Sequence, residues 1–162
     1  MNQTIEKTTL SNLVFNEDYC RKVLPFIKPD YFDIKEEKVV FEEIIKFVDK
    51  YKKIPTKTSL EIEIEHRKDL TEVEHDKVVE LIQSLNPAEV DFDWLVDTTE
   101  KFCKDKAIYN AVVEGISIID GKDKKRSPDA IPSILTDALA VSFDNAVGHD
   151  YFDDSDKRFE FY

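Results

Sequence analysis

The stretch DFDWLVDTTEKFCKDKAIYNAVVEGISIID, residues 91–120, carries a long helical pattern and decides the fold. Leu95, Phe102, Tyr109 and Ile116 recur every seven residues, and a repeat of this length places apolar side chains on one face of an α-helix. About 30 residues at roughly 1.5 Å per residue correspond to a helix of about 45 Å. We therefore expect one long helix to dominate this part of the chain.

A second helix is predicted to fold back along the first. Gly121 is suited to ending the long helix, because glycine readily adopts the left-handed conformation that closes helix C-termini. A short charged connector, residues 122–128, follows it, and a final long helix is expected to end near Phe143. The apolar residues at helical spacing in this helix are Ile131, Ile134, Leu135, Ala138 and Val141. Two helices joined by a short polar loop form an antiparallel hairpin, which we predict for residues 91–143.

The residues before the hairpin, 1–90, are predicted to form a globular head of about five short helices. Residues 71–74, TEVE, are a capping box, in which the Thr hydroxyl and the Glu carboxylate bond reciprocally to amides at a helix start. Leu60, Ile62 and Ile64 alternate as in a strand, but no partner strand is evident, so a helix is expected there. The predicted fold class is all-α, with head and hairpin in one domain and a linker segment, residues 144–162, ending in a short helix.

The composition excludes several classes of protein. The chain has 35 acidic and 23 basic residues, a formal charge of −12, whereas binding along a phosphate backbone requires a concentrated basic surface. With only three glycines, it lacks a dinucleotide fingerprint and a P-loop, since Gly121-Lys122 is followed by Asp123 instead of Ser or Thr. We therefore expect no strong direct binding of nucleic acid and no bound cofactor.

The sequence also bears on location. The first ten residues are polar and charged, which does not fit a signal peptide, and no apolar run exceeds four residues, far too few to span a membrane. Cys20 and Cys103 form no disulfide framework and belong to no Cys-x-x-Cys motif. A reducing, cytoplasmic compartment is the predicted location.

Candidate metal and nucleophile residues each have a plainer explanation. Glu63 with His66, and Glu72 with His75, have the Glu-x-x-His spacing of di-iron bundles, but they lie on consecutive short segments, which favours solvated helix faces. The acidic run with His149 is more typical of a solvated linker than of a cation site. Its carboxylates are Asp150, Asp153 and Asp154. No metal site is predicted. Cys20 or Cys103 would need a nearby His to act as a nucleophile, and Cys103, in the middle of a helix beside Phe102, is expected to be a small buried or half-buried thiol.

The positions of the basic cluster and of the aromatic residues also predict their surroundings. The basic cluster 122–126 at the predicted hairpin tip is expected to be a solvated loop, although it could contact phosphates. Most aromatic residues at or beside apolar helix positions are expected in the core. They are Phe41, Phe47, Tyr51, Trp94 and Phe102.

Two apolar surfaces are predicted to bind protein. The hairpin offers more apolar area than two helices can bury against each other, so part of it is expected to cover the head or a second subunit. The candidate self-association residues are Val112, Ile116, Ile119, Ile131, Ile134 and Leu135. Phe152, Phe159 and Tyr162 lie on one face of a short acidic helix near the chain end, which indicates docking on a partner.

Order and spacing of short segments reveal a family resemblance. Residues 138–144 (ALAVSFD) and 147–150 (VGHD), then Asp153 and Asp154, resemble the hairpin-to-linker region of the replicative DNA helicases of T-even-type bacteriophages, which are DnaB-like hexameric helicases. Supporting segments are residues 31–32 (YF), 94–96 (WLV), 99–101 (TEK) and 130–132 (AIP).

The resemblance implies an N-terminal oligomerisation and partner-docking domain, made of head and hairpin, that forms one tier of a hexameric ring built from dimers. It implies primase and the helicase loader as partners, and the cytoplasm of the host cell as location. ATP and Mg²⁺ are expected only in a RecA-like motor domain beyond this sequence, so this chain itself is expected to be non-catalytic. The predicted target of the linker aromatics is the motor domain of a neighbouring subunit.

Two other classes remain as alternatives. An independent acidic adaptor or DNA-mimic protein would compete with DNA for a basic partner and would not need to self-associate. A metalloenzyme is the more distant alternative, because no convincing ligand set is present.

Overall fold

The computed structural model describes residues 4–143, and in that range it contains helices and no strand. Seven α-helices follow one another along these residues. They are α1 (Ile5–Phe15), α2 (Glu17–Val23), α3 (Lys35–Tyr51), α4 (Lys57–Glu65), α5 (Glu72–Ser84), α6 (Phe92–Ile119) and α7 (Ile131–Leu139). Short 3-10 turns lie at Leu24–Phe26, Pro29–Tyr31 and Pro128–Ala130. The all-α fold class is confirmed, and the alternating segment 60–64 lies in α4.

Side-chain caps explain where most helices begin. The predicted capping box is present at α5: Thr71 Oγ1 accepts from the Glu74 amide at 3.1 Å, and the Glu74 carboxylate accepts from the Thr71 amide at 2.9 Å. A second box, between Thr56 and Ser59, starts α4. Such caps satisfy amide groups that have no partner inside the helix. α6 ends as predicted, with Gly121 in the left-handed region at φ 76°.

A single core joins α1 to α5 with α6 and α7. Leu95, Phe102 and Cys103 of α6 are buried in it, and the Phe102 ring packs 5.9 Å from the ring of Phe32. The buried Tyr19 hydroxyl and Thr99 hydroxyl share a hydrogen bond of 2.6 Å between α2 and α6. The first half of the long helix is therefore anchored by the residues that precede it.

The last helix is shorter than the sequence suggested. α7 ends at Leu139, whereas the apolar spacing predicted a long helix ending near Phe143, and that prediction is wrong. The chain leaves the helix because Phe143 has partners elsewhere. Its amide donates to the Glu100 carboxylate at 2.7 Å, and its ring packs 4.9 Å from that of Phe26.

The predicted aromatic core is correct for some residues only. Phe41 and Phe102 are buried, but Tyr51 and Trp94 are about half exposed, so for these two the prediction is wrong. Tyr51 is the final residue of α3, where its ring packs on Phe47 at 4.7 Å, and Leu95 takes the buried position beside Trp94.

Candidate self-association surface

The face of α6 that carries the seven-residue repeat changes its environment halfway along the helix. Leu95 and Phe102 are buried against the preceding helices. Tyr109 and Ile116 occupy the same face one and two repeats later, because seven residues make nearly two full turns. Both are more than half exposed, although the preceding residues still contact a neighbouring position of α6, where Asn110 donates to the Asp30 carbonyl at 3.2 Å. One continuous apolar face is thus covered in its first half and uncovered in its second.

The uncovered half is a contiguous apolar patch, which we call the outer stripe. Its members and exposed fractions are Tyr109 60 %, Val112 46 %, Val113 45 %, Ile116 51 % and Ile119 69 %. Single exposed apolar residues are ordinary, but five on adjacent turns of one helix are typical of an interaction surface.

The opposite face of the same half-helix packs on α7. Its buried residues are Ala107, Ala111, Gly115 and Ile118. Small side chains allow the two helices to approach closely: a Cβ built on Gly115 would lie 3.6 Å from Cγ2 of Ile131. α7 therefore covers this inner face of α6, whereas the outer stripe stays about half exposed or more.

The six predicted self-association residues fall into two groups, one on the outer stripe of α6 and one on α7. Val112, Ile116 and Ile119 lie on the outer stripe. Ile131, Ile134 and Leu135 are half-buried, and Ile134 and Leu135 pack against the core cluster that includes Ala107 and Ala111. The structure thus does not bring the six into one surface. Sequence reasoning missed Tyr109 and Val113. The seven-residue repeat placed Tyr109 on the apolar face of α6, but it could not reveal which part of that face the rest of the chain covers.

Charged groups border the outer stripe at both ends. Lys106 forms an ion pair with Asp33, and its ammonium lies 5.7 Å from the centre of the Tyr109 ring. Beyond Ile119, Arg126 of the basic cluster pairs with Glu114 and with Asp123, and these carboxylates raise the pKa of its guanidinium above the usual value. Lys122, Lys124 and Lys125 are exposed. The stripe is therefore apolar at its centre and charged at its margins, as protein interfaces commonly are.

Over the residues that the structure describes, the two candidate Glu–His pairs do not come together with further metal ligands. The His66 ring nitrogen, just past the end of α4, lies 3.9 Å from the Glu63 carboxylate, and both side chains are exposed. The His75 ring nitrogen lies 3.7 Å from the Asp76 carboxylate. Among residues 4–143, no three potential metal ligands from His, Cys, Asp and Glu lie together. His149 and its neighbouring carboxylates lie outside the described residues, as do Phe152, Phe159 and Tyr162.

Both thiols are in the protein interior. Burial raises the pKa of Cys20 to about 12, and that of Cys103 to about 12 as well. A thiol that stays protonated at neutral pH is a poor nucleophile, so the environment favours a packing role for both residues. In the described part of the chain, none of the helices has the length and apolarity needed to cross a membrane.

Comparison with known proteins identifies the class to which this helical domain belongs. Residues 1–93 match the family described as DnaB-like helicase N terminal domain, and the chain belongs to that family. The particular relative is a protein of Enterobacteria phage T4 described as DnaB-like replicative helicase. It is 36 % identical over an alignment of 157 residues, and the match covers 92 % of this chain and 33 % of the relative. The chain thus spans about a third of the length of the relative it matches.

Proposed function

We propose that this chain is the N-terminal oligomerisation and partner-docking domain of a phage replicative DNA helicase. Family membership supports the helicase context. The observation that carries the oligomerisation role is the outer stripe, because its apolar residues continue a face whose first half is already buried. A second copy of the domain is the proposed cover, placed so that two outer stripes pack on each other.

The rest of the proposal extends the relative's description as a replicative helicase, and the resemblance of the sequence to phage helicases of this kind supports it. In the whole protein, a motor domain would bind ATP and Mg²⁺ and unwind duplex DNA, while this domain forms dimers within a hexameric ring and takes no part in the chemistry. Primase and the helicase loader are the proposed docking partners. The linker aromatics Phe152, Phe159 and Tyr162 are proposed to dock on the motor domain of a neighbouring subunit.

Sedimentation equilibrium of the 162-residue chain tests the oligomerisation role. The mass is expected to rise from monomer toward dimer between about 10 μM and 1 mM, the range in which a modest apolar interface becomes populated. A monomer at every concentration, combined with competition against DNA for a basic protein, would instead favour the acidic adaptor. Purified phage primase, titrated against the chain by calorimetry, tests the docking role separately.

A further inference from the structure

A groove on the face formed by α1, α3 and α5 has features that packing of the fold does not require. Its volume is about 390 Å³, within the range of roughly 300 to 1,000 Å³ that is typical of ligand pockets. Ile34 and Leu81 supply apolar surface, and no residue of α6 lines it. The full lining is Thr4, Lys7, Ile34, Glu36, Glu37, Lys77, Glu80, Leu81 and Ser84.

Glu37 is the unusual member of this lining. The residue is only 8 % exposed, yet within residues 4–143 its carboxylate accepts no hydrogen bond and forms no ion pair. Buried carboxylates are normally paired, because a charge removed from water without a partner is costly. The other buried carboxylate, Glu43, has such a partner: Arg67 donates to it at 2.8 Å. Glu37 thus has an unused acceptor at the groove wall.

The charges that face Glu37 come from every element around it. Glu6, Asp33 and Glu36 are negative neighbours, and Lys7 opposes them. From α5, Lys77 and Glu80 line the same groove. Burial first, and then these acidic neighbours, raise the pKa of the Glu37 carboxyl to about 7. Near neutral pH the group is therefore balanced between the acid and the carboxylate.

We propose that this groove is a docking site for an apolar segment of a partner protein, and that a lysine or arginine of that segment pairs with Glu37. Charge complementarity selects this occupant. A purely apolar segment would bury the carboxyl further without pairing it, whereas a basic side chain would supply the missing donor. No residue of the outer stripe lines this groove, so the proposal goes beyond self-association and can fail independently of it.

Pairing with a cation requires the carboxylate, so binding should displace the proton. A group whose pKa is about 7 is ionised about one tenth of the time at pH 6 and about nine tenths at pH 8. The affinity for a basic apolar segment should therefore increase about tenfold from pH 6 to pH 8.

The test is an NMR titration of the ¹⁵N-labelled chain with short peptides, acetylated and amidated, in which one central residue is flanked by leucines and alanines. Peptides with a central lysine or arginine are expected to shift the amide signals of Glu37 and Leu81 saturably, about tenfold more tightly at pH 8. The matched peptide with a central glutamine is expected to bind at least tenfold more weakly at pH 8. In Glu37→Gln, the pH dependence should disappear while the fold persists.

Three results would overturn the proposal. One is the absence of groove shifts in the intact chain at peptide concentrations of about 10 mM, which is weaker than ordinary recognition. Another is appearance of those shifts only after residues 1–3 are removed, which would assign the groove to the chain's own start. The last is equal binding of the basic and glutamine peptides, or a pH dependence that survives in Glu37→Gln.

Discussion

Replacing Ile116 with aspartate should abolish self-association through the outer stripe. Complete burial of a large apolar side chain contributes about 1.5 to 3 kcal/mol, and the five stripe residues are roughly half exposed, so each contributes about 1 kcal/mol. Two facing stripes then supply about 10 kcal/mol, of which about 5 kcal/mol remains after a typical cost of association. The resulting dissociation constant is on the order of 0.1 mM.

Ile116→Asp removes this apolar contribution from both copies and places two carboxylates in the interface. The combined loss is at least about 3 kcal/mol, which weakens the dimer more than about 100-fold. Sedimentation equilibrium should then give the monomer mass up to about 1 mM, and circular dichroism should show unchanged helicity. Ile116 is the suitable position because its side chain is 51 % exposed, whereas Ile134 packs against the core and a charge there would perturb folding.

Ile62→Asp is the matched control. Ile62 lies on α4, away from the stripe, and its exposed fraction of 54 % is nearly that of Ile116. The same substitution there changes charge and surface hydrophobicity equally and should leave the dissociation constant unchanged. A dimer that survives Ile116→Asp, or equal weakening by both substitutions, would refute the assignment of the stripe.

Three further predictions concern stability, measured as the free energy of unfolding in urea. Arg67→Ala should lower the free energy of unfolding by about 3 kcal/mol, because the Glu43 carboxylate, whose side chain is 2 % exposed, then loses its main partner. Adding Glu43→Gln should recover part of this loss. Additive effects of the two substitutions would contradict the reasoning. Glu37→Gln should raise the free energy of unfolding by about 2 kcal/mol at pH 8 but not at pH 4. Folding raises the pKa of the Glu37 carboxyl from about 4.5 to about 7, so its protonated form stabilises the native chain below pH 4.5, and this stability is lost as the pH rises through about 7. A pH-independent effect would count against this. Gly121→Ala should lower the free energy of unfolding by about 1 kcal/mol, because φ at this position is 76°. Gly115 lies inside α6 with room for a Cβ, so Gly115→Ala should not destabilise the chain. Equal effects of the two substitutions would contradict the conformational argument.

The starts and ends of most helices could be predicted from the sequence, because the interactions that determine them are local. The capping box at Thr71, the glycine that ends α6 and the apolar spacing within each segment act over a few residues, so they predict helix starts and ends without the tertiary fold. The end of α7 was not accessible in this way. It depends on Glu100 and Phe26, which are distant in sequence and draw Phe143 away from the helix.

The candidate surface shows the same division. The sequence by itself determined that Leu95, Phe102, Tyr109 and Ile116 share one face of α6, because the helical period fixes side-chain direction. Only the tertiary structure decided which of them are covered, since that depends on which face of α6 the preceding residues contact at each level of the helix. Likewise, nothing local distinguishes Glu37 from the less buried Glu residues around it. Its burial without a partner arises only where α1, α3 and α5 pack together, because desolvation is a property of the assembled fold.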